Sequence, residues 1–313
     1  MAESVIAVVG PTAAGKSELA LRLALEIGGE IINADSMQLY AGMDIGTAKL
    51  PVAQRRGVPH HLLDVWDVKQ TASVAEYQRL ARDAIADIQR RGLVPVLAGG
   101  SGLYLRAALD PLEFPGTDPE LRAKLEAELA RSGPAALHQR LTGLDPVAAA
   151  AILPSNGRRI VRALEVIEVS GRPFSATLPR YEALYPVVQL GLAVDRAELD
   201  TRITARTAQM FAAGLVEEVT RLERAGLREG KTASRALGYA QVLRFLAGDC
   251  TLEDARAQTV LATKRFVRRQ ESWFRRDPRV TWLPAGAGDL VQRALATIGP
   301  CGSRKGTGPR TTS

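Results

Sequence analysis

The chain has few of the residues that cross-link small proteins or bind structural metals. Its 313 residues include only 2 cysteines, Cys250 and Cys301, which lie far apart and form no Cys-x-x-Cys pair. This excludes a disulfide framework and argues against a structural zinc site. The adjacent His60 and His61 form no ligand set with the cysteines, so we interpret them as structural. Both thiols are expected to be reduced in the cytosol.

Long apolar runs are also missing. No stretch approaches the roughly 18 apolar residues of a membrane helix. The N-terminal MAES leads directly into VIAVVG, which is too short for the apolar region of a secretory signal. We therefore expect a cytoplasmic protein without a membrane partner. Hydrophobic residues make up 46% of the chain and charged residues 24%, so a sizeable core can form in one large or two modest domains.

Acidic residues are outnumbered, and the imbalance is local. The chain has 41 Lys and Arg against 34 Asp and Glu, which gives a formal charge of +7. Residues 256–279 contain 8 basic and 2 acidic residues, a net charge of 8 − 2 = +6. A basic segment of this kind favours a polyanionic partner. The segment 299–313 is rich in Gly, Ser, Thr and Pro and is predicted to be a disordered tail.

The order of the predicted elements indicates an α/β protein. The segments 5–10, 30–36 and 93–100 are predicted strands, and helices are predicted between them at 17–27 and 73–92. This alternation is typical of a parallel sheet. Only helices are predicted from 113 to 186, after which a strand at 187–195 precedes further helices. The predicted domains are a core (1–112 and 187–298), an all-helical insertion (113–186) and the tail (299–313).

The segment GPTAAGKS (10–17) has the pattern of a P-loop. It follows a predicted strand and opens a predicted helix, which is the context that this motif requires. Glycines permit a tight loop whose N–H groups face phosphate oxygens, and the helix N-terminus adds partial positive charge. Lys16 adds a full charge, and Ser17 offers a hydroxyl for Mg²⁺. The loop residues predicted to bind phosphate are Gly10, Pro11, Thr12, Ala13, Ala14, Gly15, Lys16 and Ser17.

The P-loop alone does not identify the ligand. An NTPase usually has a later strand that ends in aspartate, whereas the strand 93–100 ends in glycine and Asp195 comes only after the insertion. Asp35, at the end of the second predicted strand, lies where parallel sheets face their ligands. It is a candidate to take up a proton. The alternative is that Asp35 caps a following helix.

Seven segments together resemble the tRNA dimethylallyltransferases: GPTAAGKS, NADSMQLYAGMDIGTAK (33–49), PHHLLD (59–64), GGSGLY (99–104), RRIVRALEV (158–166), RALGY (235–239) and RRQESWF (268–274). The resemblance extends to about Pro284, and DSMQLYAGMDIGTAK is much more specific than the P-loop. It implies transfer of a dimethylallyl group from dimethylallyl diphosphate to N6 of adenosine 37 in tRNAs that read codons beginning with U. The implied fold is a P-loop parallel-sheet core with a helical insertion.

The resemblance also assigns roles around the donor. The loop would hold a diphosphate rather than ATP, with Mg²⁺ as cofactor at Ser17. Lys16, Asp35 and Ser101 would be catalytic, with Asp35 accepting the proton of the adenine amine. Ser101 replaces the threonine that is usual in the family, and from the residues alone it equally caps a helix. Arg202 and Arg206 are candidates for a second diphosphate clamp, although a solvated helix face also explains them.

The implied partner is the tRNA anticodon stem-loop, whose target base must be extruded to react. The residues predicted to bind it are Asp35, Ser36, Met37, Gln38, Ser101, Arg158, Arg159, Arg162, Arg235, Gly238, Tyr239, Arg268 and Arg269. On the predicted helix 252–276 an arginine stripe lies opposite an apolar one. A solvated surface helix has the same pattern, but the excess of arginine favours phosphate contacts. The enzyme is expected to act as a monomer.

Three alternatives remain open from the residues themselves. A P-loop kinase of small molecules explains the loop and the insertion, but not the segment 35–49 or the basic helix. Prenylation of free adenine nucleotides needs neither the insertion nor that helix. An RNA-binding protein without enzymatic activity leaves the P-loop unexplained.

Overall fold

The structure, a computed structural model, describes residues 4–177 and 181–299. Residues Asp110–Glu182 form one compact unit, and the rest of the described chain forms a second, larger one. The predicted domain boundaries, at 112/113 and 186/187, stay predictions. The predicted disordered tail, 299–313, lies outside the described residues except for Gly299.

A parallel sheet lies at the centre of the larger unit. Within the described residues it has six strands: β1 (Val5–Val9), β2 (Gly29–Asn33), β3 (His60–His61), β4 (Val94–Gly99), β5 (Val187–Ala193) and β6 (Val280–Pro284). Their order is β3-β2-β4-β1-β5-β6, and every neighbouring pair is parallel. This topology confirms the predicted α/β class.

Eleven α-helices occur in the described part of the chain: α1 (Lys16–Ile27), α2 (Val74–Arg90), α3 (Gly102–Leu109), α4 (Pro119–Leu144), α5 (Pro146–Ala151), α6 (Gly157–Ser170), α7 (Arg196–Ala212), α8 (Leu215–Arg224), α9 (Tyr239–Leu246), α10 (Leu252–Phe274) and α11 (Leu290–Ile298). Side-chain caps fix several starts. Ser73 accepts a hydrogen bond from the Glu76 N–H at the start of α2, and Thr251 and Asp254 form a capping box on α10. No helix of residues 4–177 and 181–299 is both long and apolar enough to span a membrane.

The core of the larger unit explains why β1 and α1 are so apolar. All five residues of β1 are buried. Ile6 and Val8 pack with Leu19 and Leu23 of α1 and with residues of β4, β5 and α11. Burying such side chains contributes about 1.5–3 kcal/mol each. This packing fixes the β1–α1 unit that carries the P-loop.

Sheet order brings three predicted motifs together. β4 lies between β2 and β1, with Val9 paired to Gly99 and Asn33 paired to Ala98. All three strands therefore end at the same level. The P-loop follows β1, Asp35 follows β2 and Ser101 follows β4, so the three motifs share the carboxyl edge of the sheet, where such sheets bind ligands.

The smaller unit is helical and has its own core. α4 is interrupted at Gly133, which has a φ of 76° and directly precedes Pro134. Leu137 and Leu141 of α4 pack with Ile160 and other residues of α6. These helices, with the parallel sheet of the larger unit, match the predicted fold class of a P-loop core with a helical insertion.

Two strands of the sheet were not predicted. β3 has only two residues, and His61 in it bonds Glu30 of β2 at 2.7 Å. β6 lies in a region for which mainly helices were predicted. Both are edge strands, so their pairing depends on a sheet that the rest of the chain has already built.

Candidate active site

The P-loop has a backbone that suits an anion. Gly15 immediately precedes α1, and its φ of 95° lies in the left-handed region that favours glycine. The first N–H groups of a helix lack intrahelical partners. Here they lie beside a polar cavity that Gly15, Lys16 and Ser17 help to line. Lys16 Nζ donates to the Pro11 carbonyl at 2.7 Å, which holds the ammonium inside the loop.

Two cavities adjoin at the carboxyl edge of the sheet. The phosphate cavity, about 240 Å³, is lined by P-loop residues and by polar groups that include Asn33 and Gln38; the P-loop residues are Thr12, Ala13, Gly15, Lys16 and Ser17. The apolar cavity, about 310 Å³, is lined mainly by apolar groups that include Met37, Ile203, Met210, Leu237 and Phe266. Five residues line both cavities: Thr12, Ala13, Asp35, Thr47 and Arg206. One ligand can therefore place a charged end and an apolar end on either side of Asp35.

The phosphate cavity holds two cations in a poorly solvated place. Burial lowers the pKa of Lys16 to about 8, an effect that the Asp35 carboxylate opposes and Arg206 reinforces. Burial also lowers the pKa of Arg206, again against the effect of Asp35. The other carboxylate of the lining, Glu18, is exposed and lies 3.5 Å from Arg56. An anionic ligand beside Lys16 and Arg206 would compensate the positive charge that Asp35 alone does not balance.

We predict that affinity for an organic diphosphate falls as pH rises through about 8. Below the pKa of Lys16 the ammonium is already charged, whereas above it binding must first take up a proton. The limiting slope is about tenfold in affinity per pH unit. Calorimetry with a non-reacting donor analogue, in buffers of different ionisation enthalpy, measures both the affinity and the proton uptake. Constant affinity across this range, without proton uptake, would contradict the prediction.

Asp35 is held by a turn after β2. Asn33 Oδ1 accepts the Asp35 N–H at 2.9 Å, and Asn33 Nδ2 donates to the Asp35 carbonyl at 2.9 Å. Asp35 Oδ1 in turn accepts the Met37 N–H at 3.0 Å. Residues 36–39 form a turn, not a helix, so the alternative that Asp35 caps a following helix is wrong. These hydrogen bonds fix the direction of the carboxylate.

Ser101 joins the turn after β4 to the turn that contains Asp35. Its hydroxyl oxygen accepts the Ser36 N–H at 3.2 Å and lies 3.3 Å from Ser36 Oγ, to which it donates. The Ser101 N–H also donates to the Ala34 carbonyl, at 3.3 Å. The hydroxyl therefore contacts the DSMQ segment, one residue from Asp35.

Arg202 and Arg206 of α7 behave differently although they are one helical turn apart. Arg206 lines both cavities, and its guanidinium lies 3.5 Å from the Thr47 carbonyl. Arg202 pairs with Glu198 at 2.5 Å and reaches the Ala13 carbonyl at 3.5 Å, but it lines neither cavity. Although both lie on the same face of α7, only Arg206 reaches the ligand space.

Helix α10 presents two different faces. Arg268 and Arg269 are exposed, and Arg269 lines the apolar cavity with its guanidinium 5.9 Å from the centre of the Phe266 ring. Gln270 is buried. Its Oε1 accepts the Thr12 N–H and its Nε2 donates to the Gly100 carbonyl, both at 2.9 Å. One helix therefore carries exposed arginines and a direct brace to the P-loop.

The other residues that were predicted to bind tRNA differ in exposure and location. Arg235 is exposed and lines the apolar cavity, whereas Gly238 and Tyr239 are buried, and Tyr239 reaches the cavity wall. The remaining three arginines belong to the smaller unit. Two of them, Arg158 and Arg159, are exposed there. Arg162 is tied to Glu165 and to the carbonyls of residues 115 and 116.

Several residues of the site were missed. Gly46 and Thr47 line the apolar cavity, and Glu218 holds the segment that contains them. The segments that carried the resemblance contain three of these residues, Gly46, Thr47 and Gln270. Their place in those segments is the signal that could have identified them. No local signal distinguishes Glu218 from the neighbouring Glu217.

The donor set suits a magnesium ion. Ser17 lines the phosphate cavity, and its hydroxyl offers the hard oxygen atom that Mg²⁺ prefers. Mg²⁺ is usually held by few protein ligands together with phosphate oxygens and water. The residues present fit such an ion.

Known proteins resemble the chain over most of its length. The model of a family described as IPP transferase matches residues 38–277. A tRNA dimethylallyltransferase of Thermobifida fusca is 68% identical over 300 residues, which cover 94% of each chain. One of Streptomyces coelicolor is 67% identical over 291 residues, which cover 93% of each.

Solved structures agree with this result. A tRNA isopentenylpyrophosphate transferase of Bacillus halodurans has a TM-score of 0.71 and 39% identity, with 95% of both chains covered. A eukaryotic dimethylallyltransferase acting on tRNA has a TM-score of 0.82 and 26% identity, with 94% of this chain and 78% of the other covered.

Proposed function

Because this chain belongs to the IPP transferase family, we propose that it transfers a dimethylallyl group from dimethylallyl diphosphate to N6 of adenosine 37 in tRNA. The products are N6-dimethylallyladenosine and diphosphate, and the tRNAs are those that read codons beginning with U. The observation that carries the proposal is the position of Asp35, which lines both the phosphate cavity and the apolar cavity.

The phosphate cavity would receive the diphosphate of the donor. Lys16 and Arg206 line it with positive charge, and the N-terminus of α1 adds partial positive charge. As the C–O bond of the donor breaks, negative charge grows on the leaving diphosphate. Groups already placed around that charge stabilise the transition state more than the ground state. A magnesium ion at Ser17 would neutralise further charge on the same oxygens.

Asp35 would act as the base. The lone pair of the adenine amine is delocalised into the ring, which makes N6 a weak nucleophile. As the bond from N6 to the allylic carbon forms, the proton on N6 passes to the Asp35 carboxylate. The Asn33 and Met37 hydrogen bonds hold this residue in place without occupying both carboxylate oxygens. A positioned base of this kind contributes about 10²- to 10⁴-fold to the rate.

The apolar cavity would bind the uncharged parts of the two reactants. Aliphatic and aromatic side chains such as Ile203, Met210 and Phe266 exclude water from the allylic carbon, whose cationic character in the transition state makes it sensitive to water. We propose that the enzyme acts as a monomer. We also propose that the enzyme works on tRNA in the cytoplasm.

The exposed arginines of α10 would bind the tRNA backbone. We predict that changing both Arg268 and Arg269 to Glu weakens tRNA binding and makes the negative slope of log affinity against log salt shallower, by about 0.7–0.9 for each phosphate that the protein no longer neutralises. Changing Arg79 and Arg90 of α2, both exposed, to Glu gives the same change in charge and should have little effect. Filter binding over a salt series measures the slopes. Equal slopes in the two double variants would mean that the α10 face is only solvated.

The test of the reaction is product analysis. The protein is incubated with labelled dimethylallyl diphosphate and unmodified tRNA, and the digested nucleosides are analysed by mass. We expect N6-dimethylallyladenosine from tRNA, none from a tRNA with guanosine at position 37, and one diphosphate per product. Prenylated AMP without prenylated tRNA would favour the activity on free nucleotides. Consumption of ATP with small acceptors, without tRNA, would favour a kinase.

A further inference from the structure

We infer that Glu218 and Tyr239 are positioning residues: together they fix segment 43–49 and thereby align Gln38 and Arg206 around the reacting groups. This inference rests on the proposed prenyl transfer. It differs from the role that the resemblance implies for Tyr239, which is contact with tRNA.

Glu218 of α8 fills an anion site made by the protein backbone. It is 3% exposed. Its Oε2 accepts the N–H groups of Asp44 at 3.2 Å and Ile45 at 2.8 Å, and its Oε1 accepts that of Gly46 at 3.2 Å. Consecutive N–H groups around one anion form a nest, which in other proteins often binds phosphate. Here a carboxylate from a distant helix occupies the nest, so this segment is anchored and takes no phosphate.

Tyr239 completes the anchor from the other side. Its hydroxyl donates to Glu218 Oε1 at 2.6 Å, and the side chain is fully buried. A Cβ placed on Gly46 would lie 2.4 Å from the Tyr239 ring, so only glycine permits this close approach. Burial and the Glu218 carboxylate both raise the pKa of Tyr239. The phenol therefore stays protonated and remains a donor to Glu218.

The anchored segment contacts two residues of the proposed site. The Thr47 carbonyl accepts from Gln38 Nε2 at 3.1 Å and lies 3.5 Å from the Arg206 guanidinium. Gln38 belongs to the proposed base-binding turn and lines the phosphate cavity, whereas Arg206 lines both cavities. A shift of segment 43–49 would move both contacts together. A displacement of about 1 Å costs on the order of 10²-fold in rate when it misaligns reacting groups.

The decisive variant is Glu218→Gln. Its amide keeps one oxygen, but the NH₂ that replaces the other cannot accept hydrogen bonds, so at least one backbone N–H group of the nest loses its acceptor while side-chain volume is kept. We expect the single-turnover rate at saturating donor and tRNA to fall about 10- to 100-fold. Affinity for inorganic pyrophosphate should fall by a smaller factor than the rate, because β1 and α1 hold the P-loop independently and only the Arg206 contact shifts. Glu217→Gln, an exposed neighbour on the same helix, should leave both measurements unchanged.

Tyr239→Phe keeps the ring against Gly46 and removes one hydrogen bond to Glu218. This variant tests the same inference if Glu218→Gln does not fold. We expect a rate loss of about 3- to 10-fold, smaller than that of Glu218→Gln because the three backbone hydrogen bonds of the nest remain, with tRNA affinity unchanged. A normal rate in a folded variant would overturn the inference, as would a loss of tRNA affinity that accounts for the whole effect of Tyr239→Phe. If the unaltered protein makes no prenylated nucleoside, the proposed function fails instead.

Discussion

Replacing Asp35 with asparagine is expected to lower the single-turnover rate by about 10²- to 10⁴-fold. Asparagine keeps a side-chain oxygen that can accept the Met37 N–H, so the turn after β2 should persist. It does not act as a base, and the proton of the adenine amine then has no acceptor. Rapid-quench kinetics at saturating donor and tRNA measure the effect. Binding of the donor analogue should change little by comparison.

A matched control separates loss of the base from loss of charge. Asp83→Asn removes a carboxylate from the exposed surface of α2, where it pairs with Arg79, and should leave the rate unchanged. The Asp35 carboxylate also raises the pKa of Lys16, so the comparison belongs at a pH well below 8, where Lys16 is charged in both proteins. A near-normal rate for Asp35→Asn would remove this residue as the base.

Replacing Lys16 with methionine should lower kcat/KM for the donor by about 10²- to 10³-fold, the usual effect of losing one group placed against growing charge. Methionine keeps most of the length of the side chain but offers no positive charge to the leaving diphosphate. Steady-state kinetics with varied donor at saturating tRNA give the value. Binding of tRNA to the α10 face should be unaffected, because Lys16 lies within the P-loop.

The control for this variant is Lys231→Met. Lys231 is an exposed lysine of the same compact unit and lines neither cavity. Its replacement should leave kcat/KM unchanged. If Lys16→Met also left kcat/KM for the donor unchanged, the P-loop would not be the binding site of the diphosphate.

Much of the site could be predicted because its parts are local in sequence. Each of the three motifs directly follows a strand, namely β1, β2 or β4. A parallel sheet places the ends of such strands at one edge, so recognising three strands of one parallel sheet was enough to place Lys16, Asp35 and Ser101 at that edge. Short strand–loop–helix patterns carry this information without knowledge of distant contacts.

The parts that were missed depend on long-range contacts. Thr12 and Gln270 are 258 residues apart in sequence, yet they share a hydrogen bond at the P-loop. The contact of Glu218 with the Ile45 N–H spans 173 residues. The local sequence pattern of α8 or α10 does not predict such distant hydrogen-bond partners. Position along a helix sets a similar limit, since the sequence could not tell that Arg206 lines the cavities and Arg202, one turn earlier on the same face, does not.

The most direct test of the account is a crystal structure of the protein with a non-reacting donor analogue and an anticodon stem-loop. The account predicts that the diphosphate is bound by segment 10–17, that the prenyl group extends past Asp35, and that the carboxylate lies within hydrogen-bonding distance, about 3 Å, of N6 of an extruded adenine. A diphosphate bound elsewhere, or an Asp35 side chain directed away from N6, would contradict it.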